Sequence, residues 1–427
     1  MSQRTLDSIR VDYPAPPHVP KDRLVDLSFA LGLTPNDLVD PYAPCEWLNG
    51  PDIPHLLFNP PVPGNSQGSA VSGNGRGAWI VSHYADIERV YTDNEHFSNK
   101  GTAEFQALIG ETFRSIPLAI DPPEHSKYRY FLMPHFSPKR LSQMQAQIRA
   151  VVVEMIESFA HKGEVDIAWD FARVFPVRIF MALMGFPPAM FEQFLAWEWD
   201  ILHSQSREKM ANALRGVLAF LRSFIAEKEQ KPDEHLVSSI VHGMIEGKPL
   251  TADEKIGMVW FLWLGGLDTV AATIGQMFRR MALQPEIQRQ LRANPGLIQT
   301  AVEEFLRTQP ILSSARCAKK DFEWRGVTLK AGDWVQCLNP AGNFDPTRFE
   351  SPRTFDLARK GNRHFTFVAG VHLCLGAPLA RLELRTLLDE WFKRVPEFRV
   401  KPGADTTVFP GLLSIRNLPL VWDVCPT

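Results

Sequence analysis

A cysteine stands on a glycine-rich stretch just ahead of an amphipathic run. Cys374 lies between Gly370 and Gly376 in FTFVAGVHLCLGAPLARLELRTLL, residues 365–388. The N–H groups and the dipole at a helix N-terminus stabilise an anion and favour a thiolate. A thiolate presented there can act as a nucleophile or as a metal ligand. The alternative is an inert, buried cysteine among glycine turns.

A second group of this kind lies in the apolar run IGMVWFLWLGGLDTVAATIGQMF, residues 256–278. Glycines inside a helix cost roughly 1 kcal/mol each, so Gly265 and Gly266 indicate either close helix packing or a distortion with a purpose. The Thr269 hydroxyl can bond back to the carbonyl of Gly265, four residues earlier, and distort the helix. With Asp268 adjacent, the distortion is the favoured interpretation.

A third pattern is Glu304-x-x-Arg307 within EEFLR. Residues spaced by three lie on one face of a helix. The pattern is weak by itself, because such a pair on an exposed helix is common and contributes only about 0.2–0.5 kcal/mol.

The composition is that of an ordinary globular protein and excludes several classes. The chain has 427 residues, 45% of them hydrophobic and 22% charged, with a formal net charge of -2. This charge argues against a nucleic-acid binder. The five cysteines are scattered without CxxC spacing. They argue against a disulfide framework or a zinc site and fit a reducing compartment.

Two segments bear on the membrane question. The N-terminal MSQRTLDSIRVDYPAPPHVPKDR has no apolar core, so it is neither a signal peptide nor an anchor. Residues 256–278 are long enough to cross a bilayer, but Asp268 near their middle costs about 2.5–3.5 kcal/mol there. The sequence therefore predicts a buried central helix in a cytoplasmic protein without a membrane span.

The rest of the chain predicts a mostly α protein with small β-sheets. Residues 1–75 form a proline-rich N-terminal segment packed on the main domain, and residues 76–427 form the catalytic domain of a protein with a single domain overall. The pattern of apolar and polar residues predicts a flexible loop at residues 64–77, a strand at 78–83 and a helix at 143–163 that ends at Gly163. It also predicts a hairpin at residues 321–336 and a long ordered loop at 339–361.

The cysteine loop resembles a known family. Phe367, Gly370, His372, Cys374 and Gly376 match the pattern Phe-x-x-Gly-x-His/Arg-x-Cys-x-Gly of the haem-binding loop of cytochromes P450. The resemblance implies a P450 fold with haem b buried between the long central helix and the cysteine loop. It also implies that Cys374 is the axial thiolate ligand of the iron, a ligand that favours O–O cleavage.

The same resemblance assigns roles to the other two patterns. Glu304 and Arg307 would be a buried pair that ties the core to the loop before the cysteine. Asp268 and Thr269 would be the acid–alcohol pair of P450 monooxygenases. Thr269 would then hold water and bound dioxygen, and Asp268 would relay protons from solvent. The residues that fall where the family keeps partners for the haem propionates are His125, Arg129, Arg316 and His372.

The chain is most similar to the soluble bacterial class that includes the camphor hydroxylase. Phe113 falls where that enzyme holds a ketone with a tyrosine phenol, so the position has no donor here. The other positions that match the substrate pocket are also apolar: Leu118, Phe261, Leu264, Leu312, Leu412 and Leu413. The resemblance thus implies hydroxylation of a small apolar substrate, such as a terpenoid, norisoprenoid or cyclic ether.

No flavin or iron–sulfur module is recognisable in the sequence, so electrons must come from another protein. The resemblance implies a [2Fe-2S] ferredoxin reduced by an NADH-dependent flavoprotein reductase, docking on a monomer near Lys127, Arg129, Lys360 and Arg363. Two rivals stay open: a peroxide-driven P450 that oxidises fatty acids, and a haem-binding sensor without turnover. The first usually carries Arg-Pro in place of the acid–alcohol pair, and the second needs no proton relay.

Overall fold

The computed structural model describes residues 6–27, 40–60, 77–204, 206–409 and 412–424. The chain divides into two compact units, each assembled from separated stretches. We call them the sheet unit (Met1–Thr102, Glu303–Cys374 and Thr407–Ser414) and the helical unit (Ala103–Val302, Leu375–Thr406 and Ile415–Thr427). The boundary at residue 75 stays a prediction, and the predicted flexible loop lies outside the described residues except for Gly77.

The predicted class, mostly α with small sheets, is confirmed. Helices α1 to α14 are Pro44–Leu48, Tyr84–Thr92, Glu124–Leu132, Pro138–Ala160, Phe175–Met184, Phe191–Leu202, Arg207–Gln230, Leu236–Val241, Ala252–Gly266, Thr269–Leu283, Pro285–Ala293, Ile298–Thr308, Asn339–Asn343 and Ala377–Arg394. Strands β1 to β12 are Leu57–Asn59, Ala78–Val81, Phe97–Ser98, Glu164–Asp166, Met244–Ile245, Lys248–Pro249, Ser314–Ala318, Phe322–Trp324, Val327–Leu329, Trp334–Cys337, Phe398–Val400 and Pro419–Trp422.

The sheet unit contains a five-stranded sheet in the order β1-β2-β10-β7-β3. The predicted strand at residues 78–83 is β2, which is buried along its whole length. It pairs antiparallel with β1 and parallel with β10. Its apolar side chains join one core with α2, because Trp79 and Val81 pack in the same buried cluster as Ile87 and Val90.

The predicted hairpin forms over part of its range. Strands β8 and β9 pair antiparallel across a turn at Arg325 and Gly326. Both turn residues have positive φ, 51° and 76°, as a two-residue hairpin turn requires. The end of the predicted range, residues 334–336, belongs instead to β10 of the five-stranded sheet, which pairs with β2 and β7.

In the helical unit, the predicted helix at residues 143–163 corresponds to the later part of α4, which ends at Ala160 rather than at Gly163. This helix begins earlier, at Pro138, where the side chain of Ser137 caps it by accepting from the N–H of Arg140. The chain turns at Gly163, which has φ of 75°. Helix α14 packs against α4, and this contact fixes the helix that follows the cysteine loop.

The predicted single central helix is two helices. Helix α9 ends at Gly266 and α10 begins at Thr269, with Leu267 and Asp268 between them. Among the described residues, Ala252–Leu283 is the segment long and apolar enough to cross a membrane, and 61% of its most apolar window is buried in the protein. The distortion that Gly265, Gly266 and Thr269 predict is thus a complete break in the helix.

Candidate active site

The cysteine loop is a tight turn held by backbone hydrogen bonds. The N–H of Cys374 donates to the carbonyl of Phe367 at 3.0 Å, and a single 3-10 turn, Gly370–His372, lies between them. Gly370 has φ of 70°, and a Cβ there would lie 2.3 Å from the carbonyl oxygen of Tyr91. Only glycine fits this position. Gly376 has φ of -78°, which any residue adopts, so its backbone conformation does not require glycine.

Cys374 differs from the other described cysteines in its exposure. Its side chain is exposed, whereas Cys45 and Cys337 are buried. Burial raises the pKa of the Cys337 thiol to about 12 and that of Cys45 still higher. Cys374 stands three residues before α14, as the sequence predicts. Of these three, Cys374 is therefore the thiol that can reach a ligand.

Glu304 and Arg307 form a fully buried ion pair in the sheet unit. The guanidinium donates to both carboxylate oxygens, from Nε at 2.9 Å and from Nη2 at 2.7 Å. The carboxylate also accepts from Arg359 Nε at 3.1 Å, from Asn362 Nδ2 at 3.0 Å and from the N–H of Asp356 at 3.1 Å. The pair therefore organises the segment before the cysteine loop, as predicted, because its charges and donors are all satisfied together.

Asn343 completes this connection, and sequence reasoning missed it. Its carbonyl accepts from Arg307 Nη1 at 2.8 Å, and its Nδ2 donates to the carbonyl of Arg307 at 3.0 Å. Its Oδ1 accepts from the N–H of Phe365 at 2.7 Å, and Thr366 donates to the carbonyl of Leu306 at 2.6 Å. Asn343 thus joins α12 directly to the start of the cysteine loop. Only its place in the predicted ordered loop at residues 339–361 hinted at a role.

Two predicted propionate partners lie in the sheet unit and are buried. Arg316 in β7 is 3% exposed, stands 4.8 Å over the ring of Tyr91 and donates to the carbonyl of Ala315 at 2.8 Å. His372 is buried in the cysteine loop, with Nδ1 3.4 Å from Asn99 Nδ2. Burial of polar side chains is costly unless a partner compensates it.

The other two predicted partners, His125 and Arg129, lie one helical turn apart on α3 in the helical unit. Burial, together with the positive charge of Arg129, lowers the pKa of His125 to about 4. His125 is therefore neutral at pH 7, and toward an anion it can offer a hydrogen bond but no charge. Arg129 is half-buried.

The break between α9 and α10 contains the predicted hydrogen bond. Thr269 Oγ1 donates to the carbonyl of Gly265 at 3.2 Å. The two glycines differ in surroundings: among the described residues beyond its own helical turn, nothing lies within 4 Å of a Cβ at Gly265, whereas a Cβ at Gly266 would lie 2.4 Å from the ring of Phe180. Gly266 therefore serves close helix packing, and Gly265 leaves space beside Thr269.

Asp268 has a partner that the sequence did not predict. Its Oδ2 lies 2.9 Å from Nε2 of His203, and Oε1 of Glu198 lies 3.3 Å from the same nitrogen. All three side chains are largely buried, with exposed fractions of 12%, 5% and 5% for Asp268, His203 and Glu198. No local spacing links residues that are 65 positions apart.

The predicted substrate residues divide between the two units. In the helical unit Phe113 is buried, and Leu118, Phe261 and Leu264 are half-buried; in the sheet unit Leu413 is buried, and Leu312 and Leu412 are half-buried. The backbone at Phe113 is fixed by Gln106, whose Nε2 donates to the Phe113 carbonyl at 2.9 Å and whose Oε1 accepts from Trp260 at 3.2 Å. The side chain of Phe113 offers no donor, as predicted.

The predicted docking cations are at the surface but differ in their pairing. Lys127 is exposed and donates to Glu246 at 2.7 Å, and Arg363 is exposed and lies 3.3 Å from Glu88. Lys360 is also exposed. Such exposed pairs are worth about 0.2–1 kcal/mol, so the charges remain available to a partner.

Comparison with known proteins gives one consistent result. A model described as cytochrome P450 matches residues 70–413. The chain is 35% identical over 413 residues to the "Probable cytochrome P450 127A1" of Sinorhizobium fredii, covering 96% of this chain and 97% of that relative. It is 31% identical to the "Mycinamicin IV hydroxylase/epoxidase" of Micromonospora griseorubida, covering 82% of this chain and 90% of the relative. The solved structure of CYP101J2 is similar with a TM-score of 0.82 and 32% identity, covering 96% of this chain and 100% of that chain. The structure of CYP101C1 has the same TM-score and coverage at 31% identity.

Proposed function

The chain belongs to the cytochrome P450 family of haem monooxygenases, and on that premise we propose that it hydroxylates a small apolar, terpenoid-like substrate with electrons from a ferredoxin. Exposure of the Cys374 thiol at the start of α14, in the loop that matches the family pattern, is the observation that carries the proposal.

The residues of each unit fit haem b. The sheet unit offers the exposed thiol of Cys374 with the buried Arg316 and His372. The helical unit offers the buried His125 and the open space beside Gly265. Cys374 would be the axial ligand, Phe367, Gly370 and Gly376 would shape its loop, and the propionates would be held by Arg316, His372, Arg129 and His125. When bound, the haem supplies the iron that activates dioxygen, and the thiolate donates electron density to it.

Thr269 and Asp268 would manage protons. The Thr269 hydroxyl donates its hydrogen bond to the Gly265 carbonyl, so its oxygen lone pairs can accept a hydrogen bond from a water molecule. Such a water would be held at the helix break. Asp268 is the adjacent carboxylate and would carry protons to that water. An acid–alcohol pair in this arrangement favours use of dioxygen over the peroxide-driven alternative.

The substrate proposal is based on what the candidate pocket residues lack. Phe113 and its apolar companions offer no side-chain donor to a ketone or a carboxylate, which favours a compact hydrocarbon-like molecule. Among relatives, the mycinamicin enzyme is a hydroxylase/epoxidase by name, and that name is consistent with oxygen insertion. A spin-state titration against a panel of terpenoids tests the class, because a substrate that displaces the axial water shifts the iron to high spin.

The electron route follows from the same premise. We infer a [2Fe-2S] ferredoxin and an NADH-dependent flavoprotein reductase in the cytoplasm. Exposed Lys127, Lys360 and Arg363, with the half-buried Arg129, would steer an acidic ferredoxin toward the protein.

Two measurements test the function. The reduced CO complex should show the thiolate-type spectrum, and Cys374→Ser should abolish it, with Cys317→Ser as the matched control that keeps it. Turnover with NADH and both redox proteins should then place one atom of labelled dioxygen in the product. A thiolate spectrum without turnover of any substrate would favour the sensor, and turnover with peroxide alone would favour the fatty-acid oxidase.

A further inference from the structure

His203 lies between two carboxylates at a single ring nitrogen. Its Nε2 is 2.9 Å from Oδ2 of Asp268 and 3.3 Å from Oε1 of Glu198. His203 and Glu198 are each only 5% exposed. Asp268 itself is only 12% exposed, so its contact with solvent is small and the groups behind it become candidates for supplying its protons.

The backbone fixes these groups in place. Glu198 is in α6, and His203 directly follows the end of that helix, with its N–H donating to the carbonyl of Trp199 at 2.9 Å. The rings of Trp199 and His203 lie 4.8 Å apart. Asp268 comes from the break between α9 and α10. One helix end thus presents an imidazole and a second carboxylate to the proposed proton-carrying residue.

The two neighbouring carboxyl groups keep the imidazole of His203 protonated, so His203 is the cation among Asp268, His203 and Glu198. Burial by itself lowers the pKa of His203, but its hydrogen bond to Asp268, its contact with Glu198 and the charges of both carboxylates outweigh burial and raise the pKa to about 10. Burial and then the charge of Asp268 raise the pKa of Glu198 to about 7, although His203 and Arg173 act in the opposite direction. Arg416 and Arg173 are nearby cations, which lie over the Trp199 ring at 5.5 Å and 5.8 Å.

This inference rests on the proposed function: we propose that Glu198 and His203 form a proton relay that recharges Asp268. The imidazolium of His203 gives its Nε2 proton to the Asp268 carboxylate. The carboxylic acid of Glu198 then gives its proton to the vacated Nε2 lone pair. The sum is one proton moved from Glu198 to Asp268, with His203 restored, and solvent returns a proton to Glu198. Both are positioning residues, because they act only through Asp268.

Because Asp268 and Glu198 share the Nε2 atom of His203, Asp268 can move away from it at a lower cost. A carboxylate that carries a proton toward Thr269 must leave His203, and a buried cation left alone would be costly. Glu198 already lies 3.3 Å from that nitrogen and can accept its hydrogen bond when Asp268 leaves. Glu198 therefore lowers the barrier to the motion as well as supplying the proton.

The relay predicts a direction for the pH dependence. Glu198 can donate only while protonated, so its contribution is present at low pH and is lost as pH rises through about 7, its pKa in the folded protein. Product formed per NADH should therefore fall across this range, and peroxide release should rise. A directly acting acid with an ordinary carboxyl pKa would lose its proton well below neutral pH.

Substitutions separate the relay from a structural role. Glu198→Gln keeps the size and polarity of the side chain but has no acidic proton, so the product per NADH should fall roughly tenfold, less than the loss of a directly acting acid. In Glu198→Gln the product per NADH should also no longer depend on pH between about 6 and about 8. His203→Gln keeps a hydrogen-bond donor for Asp268 and should fail in the same way. Glu192→Gln, at an exposed position of the same helix, is the matched control and should leave the profile unchanged.

A second readout needs no turnover. In protein labelled with ¹⁵N at histidine, the His203 resonance is assigned by its loss in His203→Gln. We expect it to remain that of an imidazolium past pH 8 and to titrate about one pKa unit or more lower in Glu198→Gln. Titration of His203 at the ordinary histidine value in the unmodified protein, or a Glu198→Gln profile identical to the unmodified one, would overturn the relay. Loss of the thiolate spectrum, or absence of product from every substrate, would instead overturn the proposed function.

Discussion

The two glycines at the end of α9 should respond oppositely to alanine. At Gly266 the new Cβ would lie 2.4 Å from the ring of Phe180, which is itself buried. Overpacking of this kind costs about 1–3 kcal/mol. Alanine returns about 1 kcal/mol of helix propensity, so Gly266→Ala should lower the free energy of unfolding by about 0–2 kcal/mol. At Gly265 nothing among the described residues beyond its own helical turn lies within 4 Å of the added methyl, so Gly265→Ala should raise it by about 0.5–1 kcal/mol.

Urea unfolding, followed by tryptophan fluorescence and circular dichroism, measures this difference as a shift in midpoint at constant slope. The two variants should differ by about 0.5–3 kcal/mol in the free energy of unfolding. The more stable variant, Gly265→Ala, should be the one that forms less product per NADH. Gly265→Ala puts a methyl beside Thr269, so it should keep the thiolate spectrum but divert reducing equivalents to peroxide. Destabilisation by Gly265→Ala as large as that by Gly266→Ala would refute the assignment of packing to one glycine and open space to the other.

Three further predictions concern other parts of the site. Glu304→Gln should lower the free energy of unfolding by about 3–5 kcal/mol and reduce haem content, because it leaves the buried Arg307 without its counter-charge. Glu303→Gln, at the neighbouring position, is the control. Equal effects of the two substitutions would contradict the role of the pair. Thr269→Ala should keep substrate binding and NADH consumption but release peroxide, and an unchanged product yield per NADH would refute a proton-handling role. Arg129→Ala should slow reduction by ferredoxin and weaken its salt dependence in stopped-flow experiments, and unchanged rates at intact haem content would place the docking face elsewhere.

The sequence predicted most reliably what depends on short spacing. Glu304 and Arg307 are three residues apart, and Thr269 is four residues from Gly265, so helical geometry alone brings each pair together. Both contacts are present. The extent of the helix break did not follow from the same spacing, because a single back-bond only bends a helix. In the structure Leu267 and Asp268 have left the helix altogether.

Contacts between residues far apart in the chain could not be predicted from the sequence. Asn343 joins Arg307 to Phe365 across 36 and 22 positions, and nothing in its neighbourhood distinguishes it from other asparagines in loops. The two glycines at residues 265 and 266 are also equivalent in sequence. Their difference comes from Phe180, which another helix presents to one of them.

The group around Asp268 illustrates why burial of charge can identify function. With Glu198 ionised, two carboxylates and one imidazolium, all largely buried, would leave a net negative charge in a medium of low dielectric constant, and the raised pKa of Glu198, about 7, keeps that carboxyl protonated below neutral pH. Removing such charges from water costs several kcal/mol per ion, and replacing a buried ionic group by apolar side chains of similar volume is often neutral or stabilising. The packing of α6 against its neighbours therefore gives no physical reason for Glu198 and His203. A reason exists if Asp268 must be supplied with protons at a position that is only 12% exposed to water, since strongly perturbed titrating groups in contact with a reacting residue are what such a supply requires. On the proposed relay, the break at Leu267 and Asp268 would also free the Asp268 side chain from the helical lattice, so that it could turn from His203 toward Thr269.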